Sequence, residues 1–246
     1  MHAMILAAGL GSRLKPHTDS IPKALVSIAG RPMLLWVAEK LMAAGARKIV
    51  VNAHHHAGQL VRFIGELDYP GIEFIVSDET DQLLDTGGGI MRARKLLEGE
   101  KAFIVYNTDV ISDINLAAML DAHKKAEALV TLAVTPRKST RYFLWNNNRL
   151  CGWRNEQTGA GIPCKSVLPS THKAMAFSGI HIIDPQIFSL TSRSGRFSIN
   201  ELYLELANSY HILPFEHDEK SWADTGTPEK LKQAEQMLQS NRTKFM

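Results

Sequence analysis

The first residues with chemical potential form a glycine-rich loop near the start of the chain. The apolar run MILAA at residues 4–8 is followed by Gly9 and Gly11, then by the cations Arg13 and, behind a proline, Lys23. Glycines directly after a strand let the backbone approach a ligand, and successive amide groups there can bind an anion. A guanidinium donates to two phosphate oxygens at once, and a lysine adds a movable charge. The loop therefore predicts a phosphate site. A tight turn with a surface salt bridge is the alternative that these residues alone leave open.

Two common phosphate-binding loops do not fit this pattern. A dinucleotide fingerprint requires a third glycine in GxGxxG, and Leu14 stands at that position. A P-loop requires GxxxxGK followed by serine or threonine, which this loop lacks. The residue types that remain suit a nucleoside triphosphate.

Two aspartates far apart in the chain are candidates for a metal site. Asp109 ends the predicted strand KAFIVYNTD, and Asp224 lies in SWADTGTPE before a predicted helix. Acids beyond the carboxyl ends of strands in a doubly wound sheet are well placed for a ligand. Two carboxylates that converge there would suit Mg²⁺, which prefers oxygen ligands and bridges phosphates. A helix cap at Asp224 and an Asx turn at Asp109 are the alternatives.

The elements that must position these residues alternate between strands and helices. Apolar runs predict strands over residues 2–8, 48–53, 72–78, 101–109, 128–136, 176–183 and 211–216. Helical patterns cover residues 31–45, 57–67, 87–97, 116–126, 199–209 and 228–240, with a hairpin at 142–153 and a loop at 154–174. This alternation predicts an α/β fold with a Rossmann-like, mostly parallel mixed sheet flanked by helices. We expect one domain over residues 1–246, with a nucleotide-binding half at 1–135 and a smaller β-rich, substrate-binding half at 136–246.

Bulk properties argue against several classes of protein. The 246 residues are 45% hydrophobic and 22% charged, which is ordinary for a globular chain with a substantial core. The net charge of +3 is small and scattered, so we expect no nucleic-acid partner. The first apolar run is too short for a membrane span or a signal core, so we expect a cytoplasmic chain without a membrane partner. Cys151 and Cys164 form neither a disulfide framework nor a CxxC zinc motif. A monomer or a small homo-oligomer is expected.

The stretch MILAAGLGSRLKPHTDSIPKALVSIAGRPML at residues 4–34 closely resembles the N-terminal signature of the sugar-1-phosphate nucleotidyltransferases. In that family an LAAG-x-G-x-R loop and a PK motif bind the nucleoside triphosphate. The stretch LLDTGGGI at residues 83–90 looks most like the N-acetylmuramate-1-phosphate uridylyltransferases, with the heptose-1-phosphate guanylyltransferases close behind. The resemblance implies the nucleotide-diphospho-sugar transferase fold. It also implies a nucleotide site made of Leu6, Ala7, Ala8, Gly9, Gly11, Ser12, Arg13, Lys23, Thr86, Gly87 and Gly88.

The same resemblance implies roles in the second half of the site. The family places its metal aspartates in xGD and WxDxGT motifs, so Asp109 and Asp224 become the expected Mg²⁺ ligands. The sugar phosphate is expected at Asn107, Gly179 of FSGI and Glu201 of INELY. A carboxylate favoured by the helix dipole is the alternative reading of the last of these. The chain departs from the family in two ways, since Thr108 replaces the usual glycine and no EKP sugar motif occurs in residues 137–170.

The resemblance implies that a nucleoside triphosphate and a sugar 1-phosphate react to give an NDP-sugar and pyrophosphate, with Mg²⁺ as cofactor. Arg13 would stabilise the leaving pyrophosphate, and Lys23 would neutralise charge between the two phosphates. We expect UTP and N-acetylmuramate 1-phosphate as substrates. The alternatives are a GTP-dependent heptose- or mannose-1-phosphate guanylyltransferase, a CTP:phosphocholine cytidylyltransferase, and a sugar-nucleotide sensor without catalysis.

Other polar residues receive simpler interpretations. The histidines at 54–56 follow a strand, where neighbouring side chains point to alternate sides, so a solvated loop is favoured over a metal site. Gln82 or Glu79 would either read a base edge or face water. Trp222 is expected to pack in the core beside the metal loop.

Overall fold

The computed structural model describes residues 1–164 and 171–240, and its first half alternates strands with helices. The elements up to residue 135 are β1 (His2–Leu6), β2 (Ser27–Ile28), β3 (Arg31–Pro32), α1 (Met33–Ala43), β4 (Lys48–Ala53), α2 (Ala57–Gly65), β5 (Glu73–Asp78), α3 (Asp85–Arg92), α4 (Arg94–Leu97), β6 (Phe103–Asn107), β7 (Val110–Ser112), α5 (Leu116–Lys125) and β8 (Val130–Thr135). Short 3₁₀ turns over Ser12–Leu14 and Lys23–Leu25 lie between β1 and β2.

The rest of the described chain is richer in strands. It contains β9 (Arg141–Asn146), β10 (Arg149–Asn155), β11 (Gly161–Pro163), β12 (Lys173–Ile183), α6 (Ile199–Leu206), β13 (Ile212–Glu216), β14 (Trp222–Asp224) and α7 (Pro228–Ser240). Further 3₁₀ turns cover Pro185–Ser189 and Glu219–Ser221.

Ten strands of the described chain form one sheet. Its parallel part runs in the order β5–β4–β1–β6, and the antiparallel strand β12 follows beside β6. On the other side of β12 comes β8, and β13 runs parallel to β8. The predicted fold class, a Rossmann-like and mostly parallel mixed sheet flanked by helices, is confirmed.

Alternate residues of the buried strands pack into different layers. Ala3 and Ile5 of β1 join the cluster that contains apolar residues of α1, α2 and α5, whereas Met4 joins the cluster that contains those of α3, α4 and α6. Strands covered on both faces read as continuous apolar runs, which is why β1, β4 and β6 were visible in the sequence. A third cluster joins α7 to Leu14 and Ile111, outside these two layers.

The hairpin predicted at residues 142–153 is confirmed as β9 and β10. Asn147 and Asn148 connect them with φ of 46° and 57°, the left-handed pair that a tight hairpin turn requires. Strand β11 pairs with β10, and β9 pairs with the first residues of β12, Lys173–Met175. The long strand β12 therefore links the hairpin to the central sheet.

Several boundaries differ from the prediction. The helix expected at 87–97 is two helices, α3 and α4, which meet at Ala93. The strand β11 and the start of β12 occupy part of the loop predicted at 154–174, of which residues 165–170 lie outside the described residues. The strand expected at 101–109 ends at Asn107, so Asp109 lies in a turn before β7. The three-residue strands β7 and β14 were not predicted because their pairing joins distant parts of the chain.

The predicted halves of the domain share one sheet, since β12 lies between β6 and β8. The division at residues 135 and 136 stays a prediction. The helices among the described residues are all too short or too polar to cross a lipid bilayer. Cys151 and Cys164 are both free thiols.

Candidate active site

Polar loops from neighbouring parallel strands meet at one edge of the sheet. Strand β1 leads into the glycine loop, and β6 ends at Asn107, two residues before Asp109. The carboxyl ends of parallel strands lie at the same edge. There the loops line a larger cavity of about 600 Å³ and a smaller one of about 340 Å³. Asn107 and Asp109 line both, so the two cavities share a wall.

Most of the predicted nucleotide-binding residues that are not buried line the smaller cavity. Its walls include Leu6, Ala8, Gly9, Lys23 and Thr86. A Cβ built on Gly9 would meet no atom within 4 Å, so the absence of a side chain keeps this wall open. Arg196, which was not predicted, also lines this cavity.

Gly11 shapes the loop without lining either cavity. Its φ is 66°, and an added Cβ would lie 2.7 Å from Thr18 Cγ2. The Thr18 hydroxyl donates to the Gly11 carbonyl at 2.8 Å, which folds the loop back on itself. Ser12 beyond it is exposed and lines neither cavity, whereas the exposed Arg13 lines the larger one.

Asn52, at the end of β4, connects the glycine loop to Glu79. Its Oδ1 accepts from the Ala7 amide at 2.6 Å and from the Ala8 amide at 3.3 Å, and its Nδ2 donates to Glu79 Oε1 at 2.7 Å. The Ala7 and Ala8 amides are therefore engaged by the protein itself. Burial raises the pKa of Glu79, and the hydrogen bonds from Asn52 and the Leu84 amide oppose that rise. Asn52 was missed, although a lone amide in the run KIVVNA was a signal for it.

Gly87 and Gly88 are buried in α3, and residues 195–197 pack against them. A Cβ on Gly87 would collide with the Phe197 ring, and one on Gly88 would collide with the Gly195 carbonyl. The Gly87 amide also donates to the Phe197 carbonyl at 2.9 Å. Close packing of the two segments accounts for these glycines, while Thr86 before them lines the smaller cavity.

Two short strands bring the two aspartates to the same place. Strand β14 pairs antiparallel with β7, with Asp224 opposite Val110. The Thr225 amide and hydroxyl both donate to the Asp109 carbonyl, at 2.9 and 3.0 Å. Lys23 forms an ion pair with Asp109, with side chains only 12% and 20% exposed. Both carboxylates line the larger cavity.

The carboxylate of Asp224 is held by two hydrogen bonds, and Arg13 lies near it. Lys230 Nζ donates to Oδ2 at 2.5 Å, and the Gly226 amide donates to Oδ1 at 2.6 Å. Arg13 lies next to it, because its Nη2 is 3.1 Å from a Cβ built on Gly226. Burial raises the pKa of Asp224, but the hydrogen bonds from Lys230 and Gly226 outweigh it and leave the pKa below its usual value. Asp224 is thus a charged oxygen donor in the cavity wall.

Comparison of the sequence with known proteins shows the family to which this chain belongs. The profile of the nucleotidyl transferase family matches residues 2–144. The chain is 30% identical over 237 residues to the N-acetylmuramate α-1-phosphate uridylyltransferase of Neisseria meningitidis serogroup B, covering 96% of this chain and 97% of the relative. The enzyme of the same name from Caulobacter vibrioides is 32% identical over 244 residues, 96% of each chain. The chain belongs to the sugar-1-phosphate nucleotidyltransferase family. It is a nucleotidyltransferase.

Other known proteins match a smaller part of this chain or match it at lower sequence identity. Mannose-1-phosphate guanylyltransferase 1 of Arabidopsis thaliana is 38% identical over 145 residues, which cover 56% of this chain and 40% of that one. Among solved structures, UDP-glucose pyrophosphorylase from Acinetobacter baumannii superposes with a TM-score of 0.78 at 17% identity over 96% of this chain and 92% of that one. The inositol-1-phosphate CTP transferase of T. maritima gives 0.71 at 17% identity, over 97% and 94%. The solved structures support the fold alone.

Members of this nucleotidyltransferase family are generally dependent on divalent metals. Mg²⁺ is usually held by one or two protein carboxylates together with substrate phosphates. Asp109 and Asp224 share a cavity and offer that donor set. In the described part of the chain, no group of three or more His, Cys, Asp or Glu side chains forms a metal cluster, the histidines at 54–56 included. The two carboxylates fit a metal whose remaining ligands would be substrate phosphates.

The wall of the larger cavity beside β6 contains two of the three predicted sugar-phosphate residues. Asn107 Nδ2 lies 2.8 Å from a Cβ built on Gly179, whose φ is 76°. Asn107 Oδ1 is buried and has no hydrogen-bond partner among the described residues. Thr108, which replaces the family's glycine, is buried and lies outside the positive-φ region, so the nucleotidyltransferase accommodates it without backbone strain.

Glu201, the third predicted sugar-phosphate residue, does not line either cavity. It is exposed at the start of α6, and its carboxylate pairs with Arg193 at 3.1 Å. The preceding residue, Asn200, lines the larger cavity instead, and its buried Oδ1 has no partner among the described residues. Asn200 and Glu201 are adjacent in α6 and therefore point in different directions. The sequence pattern could not show which of the two side chains faces the cavity.

The larger cavity also contains cations that sequence analysis did not single out. Besides Arg13, its lining includes Lys230 and three residues of the segment RKSTR, namely Arg137, Lys138 and Arg141. The density of basic residues in that segment was a signal that could have indicated an anion site. Trp222, which was expected to pack in the core, is only partly buried and itself lines the larger cavity, with Arg137 4.0 Å above its ring.

Proposed function

We propose that this nucleotidyltransferase transfers a uridylyl group from UTP to N-acetylmuramate 1-phosphate, releasing pyrophosphate. The support for the substrates is the pair of uridylyltransferases that match 96% of this chain and nearly all of their own length. The guanylyltransferase from Arabidopsis, though more identical locally, matches only 56% of this chain. A mannose-1-phosphate guanylyltransferase is therefore the second candidate.

The observation that carries the reaction class is the wall that the two cavities share. We assign the nucleoside triphosphate to the smaller cavity and the sugar 1-phosphate to the larger one, so that their phosphates meet at Asn107 and Asp109. In this assignment residues 1–135 supply most of the nucleotide site. Residues 136–246 supply most of the sugar site and complete the metal site with Asp224.

In the proposed reaction an oxygen of the sugar phosphate attacks the α-phosphorus of UTP. The bond between the α-phosphorus and its bridging oxygen breaks, and pyrophosphate leaves with the electron pair. The attacking oxygen is already anionic, so no general base is required. Such a transfer depends on positioning and on electrostatic stabilisation.

The chain's own cations would neutralise the charge that gathers at the shared wall. Lys23, which pairs with Asp109 and lines the smaller cavity, would contact the phosphates from the nucleotide side. Arg13, which lines the larger cavity near Asp224, would contact the phosphates at the shared wall and stabilise the charge of the leaving pyrophosphate. Asp109 and Asp224 would hold Mg²⁺, which when bound polarises the phosphate oxygens and neutralises their charge.

A panel of substrates tests the proposal. The purified protein is incubated with Mg²⁺ and UTP, GTP, CTP or dTTP, each with N-acetylmuramate, mannose or heptose 1-phosphate or with phosphocholine. Pyrophosphate release is measured by a coupled assay, and the product is identified by mass spectrometry. We expect the highest kcat/KM for UTP with N-acetylmuramate 1-phosphate, and background rates for the matched Asp224→Asn protein. A higher kcat/KM for another pair would overturn the substrate assignment. Binding of an NDP-sugar without any turnover would indicate a sensor.

A further inference from the structure

The segment RKSTR at residues 137–141, which runs from the end of β8 to the first residue of β9, is a continuous polar strip along the larger cavity. Arg137, Lys138, Ser139, Thr140 and Arg141 all line it. Local hydrogen bonds order the strip, since the Ser139 amide donates to the hydroxyl of the adjacent Tyr142 at 2.7 Å and the Arg141 amide donates to Ser139 Oγ at 3.3 Å. Five consecutive residues therefore present three cations and two hydroxyl groups to whatever fills the cavity.

None of these three cations forms a close ion pair with a carboxylate in the part of the chain that the structure describes, although the charges of Asp224 and Glu219 attract Arg137 from farther away. Of the two acids in the cavity, Asp109 is paired with Lys23, and Asp224 is paired with Lys230. Cations that converge on a cavity without acidic partners attract a ligand that carries negative charge. Since Lys23, Lys230 and Arg13 already surround the two aspartates, the strip supplies positive charge in addition to that of the phosphate-binding wall.

Arg137 anchors the strip in a fixed orientation. Its guanidinium lies 4.0 Å above the ring of Trp222, and its Nη2 donates to the Phe177 carbonyl at 2.9 Å. Its Nε is buried and has no hydrogen-bond partner within the described chain. Lys138 and Arg141, by contrast, are exposed and can adjust to a ligand. One anchored and two exposed cations suit a charged group of the ligand in the cavity.

We propose that this strip binds a carboxylate carried by the sugar itself, separate from its 1-phosphate. The inference rests on the proposed function, because it treats the larger cavity as the sugar site. It names the substrate class as acidic sugar 1-phosphates, of which N-acetylmuramate 1-phosphate, with its lactyl carboxylate, is one. The same ring without the lactyl group is N-acetylglucosamine 1-phosphate, which has the phosphate but not the carboxylate.

The test compares acidic and neutral sugars in variants of the strip. The kcat/KM values for N-acetylmuramate 1-phosphate and N-acetylglucosamine 1-phosphate are measured for the wild type, for Lys138→Met, for Arg141→Met and for the double variant. Each lost charged contact should lower kcat/KM for the acidic sugar roughly tenfold and leave the neutral sugar nearly unchanged. Lys125→Met, an exposed lysine at the end of α5, is the matched control and should change neither.

The outcomes separate this inference from the proposed function. Equal losses with both sugars would mean that the strip binds the phosphate, and they would overturn the inference while leaving the reaction intact. If the wild type does not use N-acetylmuramate 1-phosphate with any nucleotide, the proposed substrate is wrong. The inference is then decided by calorimetric binding of glucuronic acid 1-phosphate against glucose 1-phosphate. A preference for the acidic sugar that the double variant loses would support it, and no preference in the wild type would overturn it.

Discussion

Asn52 joins the glycine loop to Glu79 by hydrogen bonds. Replacing Asn52 with alanine should therefore lower the free energy of unfolding and weaken nucleotide binding. The change removes the acceptor of the Ala7 amide, 2.6 Å away, and the donor to Glu79 Oε1, 2.7 Å away. An unsatisfied buried polar group costs ~1–3 kcal/mol, so these two groups predict a loss of ~2–6 kcal/mol in the free energy of unfolding. The bond from the Ala8 amide, at 3.3 Å, is longer and weaker. The loss is a large part of the ~5–15 kcal/mol that stabilises a typical domain.

Asn52→Asp separates the effect of charge from that of shape. The aspartate retains an oxygen for the Ala7 amide but sets a second carboxylate against Glu79, so the pair must share a proton. Burial already raises the pKa of Glu79, and the variant removes the hydrogen bond from Asn52 that opposes this rise. A group whose pKa is raised by folding contributes stability below its unfolded pKa and loses it as the pH rises through its folded pKa. The deficit should therefore be small at about pH 5 and grow toward about pH 8.

Urea unfolding followed by circular dichroism across this pH range measures both effects. Calorimetric binding of UTP is the second readout, because the Ala7 and Ala8 backbone leads directly into Gly9 of the smaller cavity. Asn52→Ala should be less stable and bind more weakly at every pH, whereas Asn52→Asp should do so only at the higher pH values.

Two further variants test whether the contact between residues 52 and 79 causes the pH dependence. Adding Glu79→Gln to Asn52→Asp should remove most of the pH dependence between about pH 5 and about pH 8, since the glutamine amide donates to the new carboxylate and the shared proton is no longer needed. Asn208→Asp, at an exposed asparagine after α6, is the matched control and should behave as the wild type. If Asn52→Asp shows no dependence on pH, or if Asn52→Ala costs less than ~1 kcal/mol, Asn52 does not hold the loop.

Three other predictions concern the chemistry, the sugar wall and the core. Replacing Arg13, Asp109 or Asp224 with alanine should lower kcat for pyrophosphate release ~10²-fold or more, as loss of an electrostatic transition-state contact does. A folded variant with a near-wild-type rate would remove that residue from the mechanism. Gly179→Ala should raise the KM for the sugar phosphate, because its Cβ would lie 2.8 Å from Asn107 Nδ2 at a φ of 76°. An unchanged KM would mean that the wall is not part of the site. Burial lowers the pKa of His123 from 6.5 to about 4. At pH values between these two numbers, the unfolded chain therefore binds a proton at His123 that the folded chain does not bind. The free energy of unfolding should fall as the pH falls through that window, and His123→Gln should flatten the fall in urea unfolding between about pH 7 and about pH 5.

The central sheet could be predicted from sequence because its strands are covered on both faces. Strand β4 was predicted residue for residue at 48–53, since five of its six residues are buried and the run is apolar up to Asn52. The helix predicted at 87–97 was wrong in its continuity. Its break at Ala93 follows no proline or glycine signal, and packing of α3 against α6 is invisible in a local pattern.

The glycine loop illustrates what a motif can and cannot specify. The motif indicated a ligand wall, and Gly9 does line a cavity with open space above it. It did not distinguish Gly9 from Gly11, which is needed for its left-handed φ and the close approach of Thr18. Likewise, Gly87 and Gly88 were predicted to bind the nucleotide. Their lack of a side chain is explained by close contacts with the distant residues Phe197 and Gly195.

The position of the two aspartates depends on contacts that no window of sequence contains. Asp224 reaches Asp109 only through the β7–β14 ladder, which joins residues more than one hundred positions apart. The ladder is three residues long, so it needs support from the third apolar cluster. That cluster buries Leu14 and Leu231, each of which adjoins a cation of the larger cavity, Arg13 and Lys230. Burial of these leucines orients the charged neighbours, because successive side chains leave the backbone in different directions. The charged site and the small core beneath it are therefore one structural unit, and α7 completes both at once.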